Sequence, residues 1–171
     1  MELKEGDIVL FRKNKSFISK AIAMATGSSY THVGVIASIN KNVVKIAEAL
    51  DKGFVLTKHT KHLFIDRVKN RELLILSSRK KLTDVKNHIL KYLGKPYGFF
   101  DLFLILIYII TGKKLAKGTS NKLICSEAVA KVLYDSSHKR LNLSKEFDKP
   151  YSYITPDDIF NSKQLKQKVF K

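Results

Sequence analysis

The sequence predicts an α+β fold in which an antiparallel sheet is packed by one principal helix. Two patterns carry this expectation. The first half holds short β-branched and apolar runs separated by Asn40-Lys41-Asn42 and Asp51-Lys52-Gly53, the signature of strands joined by tight turns. Later, Ile124, Ala128 and Val132, with Leu123, Val129 and Leu133, recur at the 3.6-residue period of an amphipathic helix. No internal repeat, low-complexity run or linker interrupts the 171 residues, so 1–171 is expected to form one domain.

Taken in order, Asp7–Arg12 reads as a short buried strand opened by Gly6. Lys15–Ala25 places Phe17, Ile18, Ala21, Ile22, Met24 and Ala25 on one helical face, and Gly27-Ser28-Ser29 ends it. Thr31–Ala37 is a central strand with His32 at its start, followed by strands Val43–Leu50 and Phe54–Thr57. Glu72–Ser77 is a further strand, and Leu82–Leu93 a helix stopped by Gly94. Lys95-Pro96-Tyr97-Gly98 is a turn into the apolar run Phe99–Ile110. At 12 residues including Asp101, that run is too short for a membrane span, which needs about 20. It reads either as a buried core helix or as a lid over a cleft. Ser136–Lys149 reads as a polar loop. Thr155-Pro156-Asp157-Asp158 is a cap with proline at the first helical position. The lysine-rich stretch 163–171 is expected to be a solvated tail.

A 44% hydrophobic and 27% charged composition is that of a folded chain rather than a disordered one. The single cysteine excludes an intrachain disulfide and a cysteine-rich zinc site, and suits a reducing compartment. Residues 1–7 lead directly into a strand without a signal-peptide core, so a cytoplasmic location is the expectation, with peripheral membrane association compatible with the charge. That charge, +17, is either a solvated lysine surface or an attraction to an anionic membrane or polymer. Nucleic acid is disfavoured, because aromatics are not interleaved with the basic residues. No His-Glu-x-x-His, GxGxxG or P-loop pattern occurs, and neither metal nor cofactor is expected.

Chemistry concentrates at Cys125. Ser120 and Asn121 just upstream are capping residue types, which sets Cys125 in the first turn of its helix. There, unpaired N–H groups and the helix dipole favour a thiolate. A buried cysteine packing as a small hydrophobe accounts for the same residue taken alone. A base and an orienting residue decide between the two. Pairing around Asn40–Asn42 puts His32 opposite Glu48, or nearly so, on one sheet face. A carboxylate there fixes the imidazole tautomer and stabilises the imidazolium. His59, His62, His88 and His138 lack a carboxylate at a comparable pairing position and are poorer bases. Each residue also has an ordinary structural role open to it, His32 as a hydrogen-bonded strand-end histidine and Glu48 as a solvent-facing carboxylate.

The series Gly6-Asp7-Ile8-Val9, Thr31-His32-Val33-Gly34-Val35, Glu48 before a Lys-Gly turn, Gly94-Lys95-Pro96-Tyr97-Gly98-Phe99, Cys125-Ser126-Glu127 and Thr155-Pro156-Asp157-Asp158 resembles the circularly permuted branch of the NlpC-type papain-like superfamily. That branch includes YiiX-like bacterial proteins and poxviral relatives, and more distantly the lecithin–retinol acyltransferase group. The resemblance spans Gly6 to Ile159, with the histidine and glutamate preceding the cysteine as the permutation requires. It implies a cysteine hydrolase or acyltransferase acting on an amide or ester bond. By position, Cys125 is then the nucleophile, His32 the base and later the acid, and Glu48 the orienting residue. Tyr97 would line the oxyanion site, and Glu127 is structural.

The substrate reading leans towards a lipid or N-acyl compound, since Phe99–Ile110 could roof the cleft with aliphatic and aromatic groups. A carboxylate-rich peptide would want placed arginines, and none of Arg67, Arg71, Arg79 and Arg140 lies in a motif. The alternatives are a cell-wall stem-peptide amidase and a non-enzymatic basic membrane-binding module on the same fold.

Overall fold

The structure is a computed structural model describing residues 2–12, 27–98, 102, 104, 107–108, 110–112 and 121–170. The expected helix Lys15–Ala25 lies outside them. Strands β1 (Ile8–Arg12), β2 (Tyr30–Ile39), β3 (Val43–Leu50) and β4 (Gly53–Thr60) precede helix α1 (Lys61–Lys69), strand β5 (Leu73–Ser78) and helix α2 (Val85–Leu90). Helices α3 (Cys125–Ser136), α4 (Leu143–Phe147) and α5 (Pro156–Asn161) follow, then strand β6 (Leu165–Gln167). The described strands form one antiparallel sheet in the order β4-β3-β2-β1-β5-β6.

Period-two alternation gives the sheet two apolar faces. Ile8, Leu10, Val33, Val35, Ala37, Ala47 and Ala49 pack against Ala128, Val129, Val132 and Leu133 of α3. Their neighbours Val9, Ile36, Val44, Ile46, Leu73 and Ile75 form a second core with Phe64 of α1. The expected strands are all present, longer at β2 and β4.

Three local expectations change. Helix α1 occupies a stretch that carries no strong helical signal, because Phe64 is its only buried residue and Leu63 is 54% exposed. Within the expected polar loop, Asn142 caps α4 by accepting from Lys145 N–H at 2.9 Å. The expected Leu82–Leu93 helix is shorter, because Asp84 takes a left-handed conformation (φ 54°) immediately before it. At α5 the expected cap is present in full: Thr155 accepts from Asp158 N–H, and Asp158 accepts from Thr155 N–H.

The lysine-rich C-terminal stretch is not a solvated tail. Leu165–Gln167 pairs with β5, and Lys168 is buried, donating to Asp7 Oδ2 at 2.5 Å and Glu2 O at 2.9 Å. Burial pushes the Asp7 carboxyl up, against the pull of the Lys168 ammonium. Removing one partner leaves the other charge buried and unpaired. Asp7→Ala is therefore expected to lower stability by about 3 kcal/mol, read by denaturant unfolding. A midpoint equal to the parent's would show that the pair pins nothing.

Among the described residues no helix is long and apolar enough to cross a membrane. Of the run Phe99–Ile110, residues 102, 104, 107, 108 and 110 are described and are helical. Leu104 is buried, Leu102 and Tyr108 pack beside Ile124 and Tyr153, and Ile110 is exposed. The remainder of the run lies outside the described residues.

Candidate active site

Helix α3 begins at Cys125, with Ile124 as its N-cap in an extended conformation and no side-chain cap. The expected capping role of Asn121 is therefore not realised, and Ser120 lies outside the described residues. An apolar N-cap supplies no side-chain acceptor of its own to the first-turn N–H groups, which suits that end of the helix to an anion. Ser126 turns away to donate to Ile154 O. Buried Glu127 accepts from Lys131 Nζ at 2.8 Å, one turn along the helix, as its structural reading expected.

The Cys125 thiol meets the N-terminal part of β2, where it hydrogen-bonds the His32 imidazole and receives the backbone N–H groups of Val33 and Ser126. His32 donates from Nε2 to Glu48 Oε2 at 2.7 Å, which leaves Nδ1 for the thiol. Burial favours the neutral thiol, but the charge and hydrogen bond of His32, with the two backbone donors, hold its pKa below the ordinary value. Burial likewise opposes charge on His32, yet Cys125 and Glu48 together raise it to about 10. Burial would raise Glu48 too, but the hydrogen bond from His32 leads the groups that bring it to about 2. His32 is thus held as imidazolium and Glu48 as carboxylate at neutral pH, and both the imidazolium and the backbone donors bias Cys125 towards its thiolate. His32 keeps 23% of its side chain accessible while Glu48 keeps 6%, so the imidazole borders solvent and the carboxylate behind it does not.

The register differs in detail from direct opposition. Glu48 faces Gly34, and His32 lies two residues further along β2 as its diagonal neighbour. An irregularity between Ile36 and Ser38 shifts the pairing nearer the turn. Gly34 makes the diagonal contact possible. A Cβ there would lie 2.6 Å from Ile46 Cγ2, 3.1 Å from Ala47 O and 3.2 Å from Glu48 Cβ, so the absence of a side chain leaves room for Glu48 to lean towards His32. By alternation His32 and Glu48 belong to the α1 face, whereas α3 packs on the other. The thiol reaches the imidazole because α3 begins beside the β2 backbone.

Tyr97 is placed by two backbone links. Gly94 N–H donates to Phe54 O and Phe54 N–H to Lys95 O, so the Lys95–Gly98 turn is tied to the β3–β4 hairpin. Gly53 permits this closeness: at φ 101° it has a would-be Cβ only 2.5 Å from Lys95 O. Tyr97 then bridges Leu123, two residues before the start of α3. Its burial, and then the Cys125 charge, push its hydroxyl pKa upward. The phenol stays protonated and able to donate.

Cys125, His32, Glu48 and Tyr97 are thus brought together in one region. The sequence reading passed over Thr57 and set His59 aside as lacking a carboxylate, which the structure corrects. Glu48 Oε1 accepts from Thr57 Oγ1, and His59 Nε2 lies 3.9 Å from the same oxygen. The two-residue Asp51-Lys52 turn carried the signal, since the hairpin it closes puts Thr57 and His59 on the Glu48 face. Among the described residues no group of three or more His, Cys, Asp or Glu side chains is arranged to hold a metal ion.

An antiparallel sheet with its histidine and glutamate strands ahead of a cysteine-headed helix defines a papain-like cysteine hydrolase of permuted chain order. The chain belongs to the permuted papain-like amidase enzyme family YaeF/YiiX, the C92 family, whose model matches residues 2–167. Its fold is that of the crystal structure of yiiX from Escherichia coli O157:H7, titled a metalloprotein. The two align with a TM-score of 0.64 and 21% identity over 98% of this chain and 97% of that one. No curated protein sequence matches the chain.

Proposed function

We propose that this amidase works through a covalent acyl-enzyme on Cys125, with His32 as proton carrier and Glu48 as its orienting partner. The single observation that supports the reading is the hydrogen-bonded sequence Cys125–His32–Glu48 at the head of α3. The Cys125 thiolate attacks the acyl carbonyl carbon. The charge that develops on its oxygen is met by the first-turn N–H groups of α3 and the Tyr97 hydroxyl. As the C–N bond breaks, the His32 imidazolium passes its proton to the departing amine. A water then attacks the thioester and gives a proton to His32, releasing the carboxylic acid and restoring the thiolate–imidazolium pair.

For the acyl portion the reading favours an N-acyl or lipid-like group over a cell-wall stem peptide. Leu102 and Tyr108 pack on the small cluster of Ile124 and Tyr153, an apolar patch that includes the residue preceding Cys125. The +17 charge suits an anionic head group or surface. Purified protein is assayed against an N-acyl lipid amide and a peptidoglycan stem peptide, each alongside Cys125→Ala. Acyl-lipid turnover is expected, with a loss of about 10⁴-fold or more in the variant. Stem-peptide turnover without acyl-lipid cleavage overturns the substrate class. Undiminished turnover in Cys125→Ala overturns the chemistry.

A further inference from the structure

We propose that Thr57 and His59 are positioning residues, a chain of hydrogen-bond donors on the far oxygen of Glu48 that holds this carboxylate in line with His32. The inference rests on the reading of Cys125, His32 and Glu48 as the reacting set and extends it by one layer. It begins with the room around Glu48. Gly34, directly across from it, offers no side chain to brace against, and a glutamate has three rotatable bonds to restrain. A carboxylate that needs to present one oxygen to His32 therefore needs a hold on the other.

The hairpin supplies that hold. Val55 pairs with Glu48 across β3 and β4, and Thr57, two residues on, shares its face. Thr57 Oγ1 has one proton, and an ionised carboxylate only accepts, so the proton goes to Glu48 Oε1. Ile46 O, the other acceptor in reach, is more distant at 3.4 Å. With its proton committed, Thr57 Oγ1 can only accept from His59 Nε2, 3.1 Å away. That fixes the proton on Nε2 of His59, whose ring rests against Phe64 of α1 with centroids 6.0 Å apart. The protons then run in one direction, from His59 to Thr57 to Glu48, while His32 donates to the opposite carboxylate oxygen. Among the described ionisable residues, His32 and His59 are the two within ion-pair distance of Glu48.

A hydroxyl acting only through packing would be replaced without loss by the near-isosteric valine, whereas a donor would not. The test reads the pH dependence of iodoacetamide alkylation, which reports Cys125 alone because the chain has one cysteine. In Thr57→Val the carboxylate supports the imidazolium less firmly, so the thiolate forms at higher pH. The acid limb is expected to rise by about half to one pH unit, and Thr57→Ser restores it. His59→Ala, at a position with a 25% exposed side chain, moves the limb the same way by less, and decides the matter if Thr57→Val does not fold. An unshifted limb in folded Thr57→Val, an equal shift in Thr57→Ser, or no shift in His59→Ala overturns the proposal. A profile left unchanged by His32→Ala instead overturns the underlying reading of the reacting set.

Discussion

His32→Ala is expected to slow alkylation of Cys125 at pH 6 by about 50-fold. The size follows from ionisation. A thiol of ordinary pKa near 8.5 is about 0.3% thiolate at pH 6, whereas thiols beside a cationic partner in general fall to about 3.5–7.5 and ionise far more there. The full ratio of about 300 is not realised, because a thiolate of lower pKa is intrinsically less nucleophilic. The direction on each side of neutrality is set by the shifts. The parent rate rises below the usual thiol range, since the Cys125 pKa is lowered, and holds until His32 loses its proton near pH 10. In the variant the rate climbs only through the alkaline range of an unassisted buried thiol. Stopped alkylation followed by intact mass gives both curves, and superimposable profiles would refute the ion pair.

Gly34→Ala is expected to damage stability and chemistry together. Its new Cβ would overlap Ile46 Cγ2 at 2.6 Å and press on Ala47 O and Glu48 Cβ. Overpacking of this kind costs about 1–3 kcal/mol, visible as a lower unfolding midpoint. Because the strain falls on Glu48, the hydrogen-bond partner of His32, amide turnover should fall by about 10²-fold even in the folded fraction. A variant of parental stability and turnover would mean that Glu48 does not lean across this glycine.

The contrast between these substitutions marks where the site's information lies. Cys125 and His32 stand in recognisable local patterns, the one opening a helical period and the other a β-branched strand. Glu48 could be tied to His32 from the turn between their strands, because a hairpin fixes register over short distances. Thr57 ends the strand expected behind a second turn of the same kind, and His59 lies just past it, where flanking lysines obscured the strand's continuation. Local register was readable wherever alternation was clean, and it blurred where charged residues interrupted it. Helix α1, with a single buried side chain, was hidden for the same reason.

Read alone, the residues specify the antiparallel meander, the helix opened by Cys125 and the cap at Thr155, and they point to Cys125, His32, Glu48 and Tyr97 as candidates for the site. These follow from periodicity, turn chemistry and motif order, each confined to a few neighbouring residues. Tertiary structure decided the rest. It set Gly34 opposite Glu48 through a register irregularity that no turn residue announces, since the pairing nearest the turn would otherwise carry Val35 there. It drew the lysine-rich C-terminus into the sheet, because Lys168 finds a buried carboxylate in Asp7, 161 residues away. It also brought the head of α3 to the β2 backbone, although α3 packs on the face opposite His32 and Glu48. Such contacts depend on where distant segments arrive after the sheet has formed, and their free energy comes from burial and charge pairing across the fold rather than from local propensity.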